Sequence, residues 1–479
     1  MSLRTIVRAV QVECAFASGL SGFFQFRTAH SLQVSEQRAA QLCEIEKGEA
    51  GMNLNVHAKE GQTQLRRWQI GMLTLALVGE VFLAADWYAF AAVISFVSET
   101  LHLDPAEAGF AQGIFALAYA FGMLAWSQVT TRMSARSMLL MGLVGTGVGM
   151  VLQTFVQSYV ELIALRLLIG VFDAAIFLGN MKLIFGWFPQ SRRASVVGLV
   201  LAAYSLAITL DFALGIPLSI AFGWRTFFGA LAAGTLITGL ANWLFVKNDP
   251  TEIGHPGFAS EGTETTSSLA AFRLLVSQRW VFVTAVGISA AVAAIAGTAT
   301  WVVPAYVKFQ QVPVEIAGLI GMAMGLSQVA FLIVGGYISD RVRKTVVIRI
   351  GAVLGLVSAL LFTVSTVYPM SLASLFVIAG LSGMCVLSGG AIFSLLSEKY
   401  SPALATAAVG YAEIFGMIAN FLSPWMMGLF LNATNGSFTH AFLAFSALQV
   451  VFVVVLLVLA REASSAKSAI VVRDSAIAN

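Results

Sequence analysis

This sequence has few charged residues. Only 11% of its 479 residues are Asp, Glu, Lys or Arg, whereas soluble domains carry about 25%. So few charged side chains cannot cover a globule of this length, which excludes a soluble protein and indicates a membrane protein. The net charge of +3 is small, and the basic residues lie in short segments between apolar runs. A nucleic-acid partner is therefore not indicated.

Cysteines and catalytic motifs are scarce as well. The chain has 3 cysteines, Cys14, Cys43 and Cys385, and no CxxC motif or Cys/His cluster. Neither a disulfide framework nor a zinc site is supported. The sequence also lacks HExxH, GxSxG and phosphate-binding-loop motifs, which carry much of the known hydrolytic and nucleotide chemistry. We expect no enzymatic activity, no metal and no cofactor.

Long apolar runs are present instead, and 58% of the chain is hydrophobic. Runs of about 20 residues are long enough to cross a bilayer as helices. The sequence predicts an all-α membrane protein with about twelve transmembrane helices in two six-helix bundles, 66–246 and 280–461, joined by a polar, turn-rich linker at 247–279. We place the spans near 69–95, 106–127, 137–156, 159–182, 194–218, 224–246, 280–306, 315–337, 346–366, 370–396, 405–430 and 438–460.

Basic residues indicate the orientation of the spans. They collect in alternate short loops, such as those around 132–136 and 341–344. Because positively charged loops stay in the cytoplasm, we expect both termini, the linker and a tail at 462–479 to be cytoplasmic, in a bacterial inner membrane.

The residues before the first span need a separate interpretation. The weak apolar stretch near the start is interrupted by Gln11 and Glu13, so a signal peptide is not expected. We expect residues 1–65 to be a disordered extension. An equally good interpretation is a partly mis-assigned start, with translation beginning at Met52.

Loop motifs add a family resemblance. "GGYISDRVRK" (Gly335–Lys344) resembles the loop motif of the major facilitator superfamily between the second and third helix of a half, through Gly336, Asp340 and Arg341. In the first-half copy, "SQVTTRMSAR", Ser127 and Thr131 stand where glycine and aspartate are usual. "WFPQSRRASVVG", "FGWRTFF" and "NDPTEIG" are similar to other loops of the family.

The resemblance implies a fold and a mechanism. It implies two bundles related by a pseudo-two-fold axis, a substrate site near the midplane and access alternating between the two sides. It also implies that the first, fourth, seventh and tenth spans line the cavity. Gly336, Asp340 and Arg341 would then form the cytoplasmic gate, where charge pairing holds the outward-open state.

The fourth span carries charge at bilayer depth. In "VELIALRLLIGVFDAAIFLGNMK", Arg166, Asp173 and Asn180 recur every seven residues, so they share one helix face, with the first two about 10 Å apart. Gly170 between them allows another backbone to approach. A charge within the bilayer costs about 2.5–3.5 kcal/mol or more, so this stripe is expected to face a polar cavity. Lys182 points to the opposite side and is expected to reach the interface.

Two more acids lie at a similar depth. Asp86 in the first span and Asp211 in the fifth are predicted to join Arg166 and Asp173 in a proton-coupling cluster, whose surplus negative charge a proton or a cation would relieve. The alternative is that Arg166 and one acid form a structural ion pair, and Asp211 is as well explained by a structural role. Glu80, about 120° around the helix from Asp86, is expected to be structural.

A looser resemblance points to the anion:cation symporters, which carry sugar acids and organic anions. These carry a similar arginine and acid in the fourth helix, where Arg166 and Asp173 match them. They also have an Asp-Arg pair in the first helix. Here Asp86 is kept, but Trp87 stands in place of the arginine, which is one that binds a substrate carboxylate in such a site.

Other residues are candidates for the substrate cavity. Tyr119 matches a tyrosine of the family, and Trp301 lies in "TWVVPAY", which resembles the gate region of the seventh helix. Glu413 and Asn420 share a face of the eleventh span by the seven-residue argument. With Trp87 and Asn180 they form the predicted cavity lining.

The leading prediction is a monomeric secondary transporter that imports a small polar metabolite with protons. An organic or sugar acid is favoured by the resemblance. A proton-coupled exporter is the alternative, although the glycine-proline motif of such antiporters is dispersed here, with Gly215 and Pro217 separated. A non-transporting sensor is a further alternative, but no signalling domain is recognisable.

Overall fold

This computed structural model describes residues 29–129, 132–257, 278–400 and 402–460. Side-chain burial is described from residue 61 onward, except at 190–191, 193–195, 201, 393, 397 and 402–407. Within them, 12 helical segments are long and apolar enough to cross a membrane, which confirms the predicted number. The α-helices are α1 (Ala29–Leu101), α2 (Pro105–Val129), α3 (Ala135–Gln153), α4 (Tyr159–Trp187), α5 (Gln190–Leu210), α6 (Ile216–Phe222), α7 (Trp224–Phe245), α8 (Arg279–Lys308), α9 (Val314–Ser339), α10 (Lys344–Ser365), α11 (Leu372–Ser382), α12 (Gly389–Lys399), α13 (Pro402–Ala433) and α14 (Phe438–Leu459).

The first helix is longer than the sequence predicts. A disordered extension was expected up to residue 65, but α1 begins at Ala29, with one residue of non-helical backbone at Val93 (φ −112, ψ 17). Segments such as "AAQLCEIEK" consist mostly of good helix formers, which explains the helix locally. By compactness the chain divides into Met1–Ile70 and Gly71–Asn479. Residues 1–28 lie outside the described residues, and the start at Met52 stays a prediction.

Two of the spans are interrupted. The fifth consists of α5, a π-helical turn at Asp211–Gly215 and α6. The tenth consists of α11, a 3-10 turn at Gly383–Val386 and α12. Pro217, two residues after the π turn, has no backbone N–H and interrupts regular helical hydrogen bonding. The interruption places Asp211 at the first residue of a widened turn, a feature common at functional sites.

Glycines bring the two bundles together along two seams. A Cβ added at Gly113 of α2 would lie within 3.0 Å of the Phe421 backbone of α13, so these helices meet backbone to backbone. A Cβ added at Gly325 of α9 would lie 2.7 Å from the backbone nitrogen of Thr209 of α5. Small residues allow such close packing of membrane helices. We call these contacts the α2–α13 seam and the α5–α9 seam.

Both seams lie toward the same end of the spans. α2 and α9 begin after the loops at 102–104 and 309–313, and their seam glycines lie in the first half of each helix. We call this the seam end. The opposite end carries the loop at 340–343 and is called the Asp340 end.

Candidate functional site

Arg166 is held by the backbone of α2. Its side chain is 1% exposed. Its Nε donates a hydrogen bond to the carbonyl oxygen of Ala111, and one terminal nitrogen lies 3.3 Å from both the backbone and the side-chain oxygen of Gln112. The guanidinium carbon lies 4.5 Å from the ring centroid of Phe90 and 5.1 Å from that of Phe115. Carbonyl dipoles and ring faces therefore stabilise the charge.

A close approach of two helices makes this arrangement possible. A Cβ added at Gly170 would lie 2.7 Å from the carbonyl oxygen of Phe115, so α4 packs directly on α2 one turn after Arg166. The predicted backbone approach at Gly170 is confirmed. The cation consequently reaches the carbonyl groups of α2 directly.

No direct ion pair joins Arg166 to an acid. Among the described side chains, no carboxylate oxygen lies within 4.0 Å of its guanidinium. The charges of Asp86 and Asp173 nevertheless act on it at longer range. The structural ion pair considered from the sequence is therefore absent in this conformation, because α2 carbonyl groups occupy the donors instead.

The predicted acids do come together around Asp86. The charges of Asp173, Asp211 and Arg166 all act on this carboxyl group. Asp86 is 2% exposed, and neither of its oxygens has a hydrogen-bond partner. One oxygen of Asp173 accepts a hydrogen bond from the Thr146 hydroxyl at 2.5 Å, and its other oxygen has no partner. An unpartnered, ionised carboxylate is costly in a dry interior, and a bound proton removes that cost.

Asn180 and Glu80 form a bridge of their own. The Asn180 amide nitrogen donates to a Glu80 oxygen at 3.1 Å, which links α4 to α1. Glu80 thus has the structural contact expected of it, while Asn180 keeps its carbonyl oxygen without a partner. The Glu80 charge also acts on Asp173. Lys182 points away from this stripe and donates to the carbonyl oxygen of Met133 at 2.6 Å.

Aromatic rings pack around Trp87. Its ring centroid lies 5.0 Å from that of Phe115, 5.1 Å from that of Tyr119 and 6.1 Å from that of Tyr204. Tyr88 stands edge-on to Tyr204 at 5.6 Å. We call these five residues the aromatic cluster. The Trp87 indole N–H is buried and has no partner, so this cluster has a polar atom left for a ligand.

The second bundle reaches the aromatic cluster through α13. Asn420 is close enough to Tyr88 to influence its hydroxyl group, and the Asn420 carbonyl oxygen is buried without a partner. Glu413, which is half-buried, acts electrostatically on Tyr119 and Tyr204. The candidate site therefore takes its charged cluster from the first bundle and faces α13 of the second.

Trp301 lies elsewhere. Its indole N–H donates to the carbonyl oxygen of Pro424 at 2.9 Å and so joins α8 to α13. The side chain is buried, and its recorded polar contact is with backbone. Trp301 was predicted to line the cavity, but the structure gives it a packing contact near the α2–α13 seam.

The predicted gate residues lie where the resemblance placed them, at the end of α9. Asp340 is exposed, and its carboxylate has no hydrogen-bond or ion-pair partner among the described residues. Arg341 donates to the carbonyl oxygen of Tyr337 at 3.0 Å and covers the ring of that residue. The charge pairing expected of this gate is thus not formed in this conformation. Gly336 packs against Gly390, and Thr131 lies outside the described residues.

The comparison with known families now has a structural context. The family model described as Major Facilitator Superfamily matches residues 76–424 and, in a second match, residues 311–474. The chain belongs to this superfamily. It is therefore a membrane transporter by family, not an enzyme.

Curated relatives of the chain are named as transporters of acids. A "Putative tartrate transporter" of Agrobacterium vitis is 26% identical over 75% of this chain and 82% of the relative. The "Hexuronate transporter" of Bacillus subtilis (strain 168) is 22% identical over 75% of this chain and 86% of its own. The "Probable galactarate/D-glucarate transporter GudP" of Escherichia coli (strain K12) is 22% identical over 80% and 90%. The resemblance to sugar-acid and organic-anion transporters is confirmed.

A solved structure supports the fold. A bacterial homolog of the human lysosomal transporter Spinster, in an inward-facing and unoccupied conformation, superposes with a TM-score of 0.69 at 16% identity, over 82% of this chain and 96% of that chain. The same homolog in an occupied, inward-facing conformation gives a TM-score of 0.66 at 15% identity. The major facilitator fold predicted from the sequence is thereby confirmed.

Several residues at the candidate site were not predicted from the sequence. Gln112 and Thr146 are polar residues within apolar runs, and that signal was available. Tyr88 and Tyr204 gave no signal, because aromatic residues are common in apolar spans. Phe90 contacts the guanidinium only because α1, α2 and α4 meet there.

Proposed function

We propose that this transporter imports a small polar metabolite together with protons by alternating access. It would act as a monomer in a bacterial inner membrane, with both termini in the cytoplasm. The observation that carries the proposal is the carboxyl group of Asp86, which is buried without a partner among Asp173, Asp211 and Arg166. Such a group needs a proton or a cation whenever its cavity closes.

Arg166 acts as the conformational part of this switch. In the present conformation its donors engage α2 carbonyl groups. A movement of α4 against α2 would free the guanidinium to approach Asp86 or Asp173, which would favour release of the proton. Available driving forces are adequate, at about 2.3 kcal/mol per charge per 100 mV and about 1.4 kcal/mol per pH unit.

Alternating access is supported by the two seams. Close backbone contacts at Gly113 and Gly325 join the bundles toward the seam end, while at the other end Asp340 is exposed and has no partner within the described part of the chain. Rocking of one bundle against the other would separate the seams and bring the Asp340 end together. Positive charge in the Asp340-end loops supports a cytoplasmic location for that end.

The test compares accumulation with exchange in proteoliposomes. Asp86→Asn and Asp173→Asn imitate the protonated carboxyl group, so we expect them to abolish uphill uptake driven by an imposed proton gradient and to retain exchange. The transported compound is chosen from a ligand panel that includes tartrate, glucuronate, galactarate and their carboxylate-free counterparts.

The matched control is Glu99→Gln, which neutralises an exposed acid on the same helix. It should concentrate the compound like the parent protein. If the Asp86 and Asp173 variants also concentrate it, these acids are structural and coupling lies elsewhere, with Asp211 and Glu413 the next candidates. Net efflux under an inward proton gradient would identify an exporter instead.

A further inference from the structure

Unpartnered polar atoms at the candidate site are nearly all hydrogen-bond acceptors. Both oxygens of Asp86, one oxygen of Asp173 and the carbonyl oxygens of Asn180 and Asn420 are buried without a partner. The Trp87 indole N–H is an unpartnered donor among the same described side chains. When Asp86 and Asp173 are ionised, a ligand that satisfies this site must bring donors, since an unmatched buried acceptor costs the full desolvation penalty.

Positive charge is outnumbered by acidic groups at this site. Arg166 is the one fully buried Lys or Arg among the described side chains. Its Nε and one terminal nitrogen donate to oxygens of α2, and aromatic rings lie beside it. Four acids, Glu80, Asp86, Asp173 and Asp211, are buried in the same bundle. When these acids are ionised, their negative charge exceeds the positive charge of Arg166 and disfavours a carboxylate entering here.

We propose that the substrate is a polyhydroxylated molecule of sugar size without a carboxylate, which presents hydroxyl or ammonium donors to Asp86 and Asn420 and lies against the aromatic cluster. This inference rests on the proposed transport function and narrows its substrate class. It departs from the acid substrates named for the relatives.

Trp87 is the residue that accounts for the proposed difference in substrate class from the relatives. It stands beside Asp86 and contributes a large ring and one N–H donor to the cluster. A ring at this position places no cation next to Asp86 for a carboxylate to pair with. It also adds an aromatic face, which suits the apolar side of a sugar ring or an ammonium group.

Binding to the full-length purified protein in detergent tests the inference. Thermal shift is measured with compounds that share a scaffold: glucuronate against glucose and glucosamine, galactarate against galactitol, and tartrate against threitol. We expect an upward shift of several degrees at saturation from a carboxylate-free member and none from its acid. A shift from glucose indicates hydroxyl recognition, and a larger one from glucosamine indicates ammonium recognition. Stabilisation by the acids, or by no carboxylate-free member, would overturn the proposal.

A substitution of Trp87 tests the role of this residue in the proposed substrate preference. Trp87→Arg places a cation beside Asp86 and should reverse the preference, so that an acid binds at least tenfold more tightly than its neutral counterpart. Tyr368→Arg adds the same charge at an exposed loop position and should leave the preference of the parent unchanged.

If Trp87→Arg does not yield folded protein, Asp86→Asn serves in its place. It removes the negative charge without adding a cation and should narrow the discrimination against acids at least tenfold. Unchanged discrimination in the folded variant would overturn the assigned role of Asp86. Because binding in detergent needs no proton gradient, these results are independent of whether the transport is proton-coupled.

Discussion

The two bundles of this transporter bury charge very unequally. Within the described side chains, all fully buried charged residues belong to the first bundle: Glu80, Asp86, Arg166, Asp173 and Asp211. The second bundle buries neutral groups such as Asn420, and its Glu413 remains partly exposed. Two halves of one fold thus have different chemistry. We infer that the first half carries coupling, while the second supplies neutral contacts and the surface against which the first half moves.

The two ends differ in a related way. The seam end is joined by glycine-mediated backbone contacts, which are rigid and uncharged. The Asp340 end offers one exposed carboxylate, that of Asp340, which has no partner among the described residues. Opening at the seam end therefore breaks packing, whereas closure at the Asp340 end must form polar contacts.

The variant Arg166→Ala is expected to have the largest effect, and it tests the unequal burial of charge in the two bundles. It leaves the Ala111 and Gln112 oxygens without their donor and removes the one buried cation near the acids, so we expect a loss of about 3–5 kcal/mol in stability. Both uphill uptake and exchange should be lost. Thermal unfolding of purified protein and both transport assays measure this.

The matched change in the second bundle is Arg349→Ala. Arg349 donates to Thr345 of its own helix and is partly exposed, so uptake, exchange and melting temperature should stay near the parent values. Equal losses in the two variants would mean that the unequal distribution of charge has no functional consequence.

The variant Gly113→Ala tests whether the seam end opens and closes during transport. The added Cβ meets the Phe421 backbone, so the α2–α13 seam cannot close fully, and we expect transport to fall at least tenfold. A cysteine at position 104, at the seam end, should react faster with an impermeant thiol reagent in the Gly113→Ala background. Gly380→Ala is the control, because its Cβ would meet nothing within 4 Å. Equal labelling and transport in both variants would argue against a moving seam.

A smaller effect is expected at the Asp340 end. Asp340→Asn should change stability by no more than about 0.5 kcal/mol, because its carboxylate is exposed and unpaired. Transport should nevertheless fall severalfold, since the conformation that closes this end needs the charge. The matching first-half change, Thr131→Ala, should impair transport less. Equal tolerance of both changes in the uptake assay would remove the gate proposal.

The smallest predicted effect concerns Asp104 in the loop at the seam end. Partial burial raises the pKa of Asp104, but hydrogen bonds from the Glu107 backbone, Asn432 and the Ala106 backbone outweigh this and lower its pKa below the usual value. Its contribution to stability is therefore present above the ordinary Asp pKa and is lost as pH falls through the lowered one. Being mostly exposed, it should contribute only about 0.5 kcal/mol.

Asp104→Asn should consequently lower the melting temperature slightly at pH 7 and have no effect near pH 2. The Glu107 carboxylate accepts from the Asp104 backbone N–H in return, so the reciprocal cap is partly kept in the variant. A melting difference that is the same at both pH values would show that the charge of Asp104 is not involved.

The sequence by itself determined the membrane class, the twelve spans and the face shared by Arg166, Asp173 and Asn180. These follow from local properties, because helix length and periodicity depend only on neighbours along the chain. Counting residues from the helix ends also placed Asp86 near Arg166, since helices that cross the same bilayer share a depth scale.

Tertiary structure alone decided which atoms the charges meet. Arg166 binds carbonyl oxygens of α2, and backbone carbonyl groups are present at every position, so no sequence pattern marks the two that receive it. The lack of a hydrogen-bond partner at Asp86 is likewise a result of helix packing, and no local sequence pattern marks it. The seams depend on glycines from opposite halves of the chain, whose pairing is fixed only when the bundles meet. The sequence predicts only the depth of each charged side chain, to within about one helical turn. Hydrogen bonds act over about 3 Å, so only helix packing decides which of these side chains form a site.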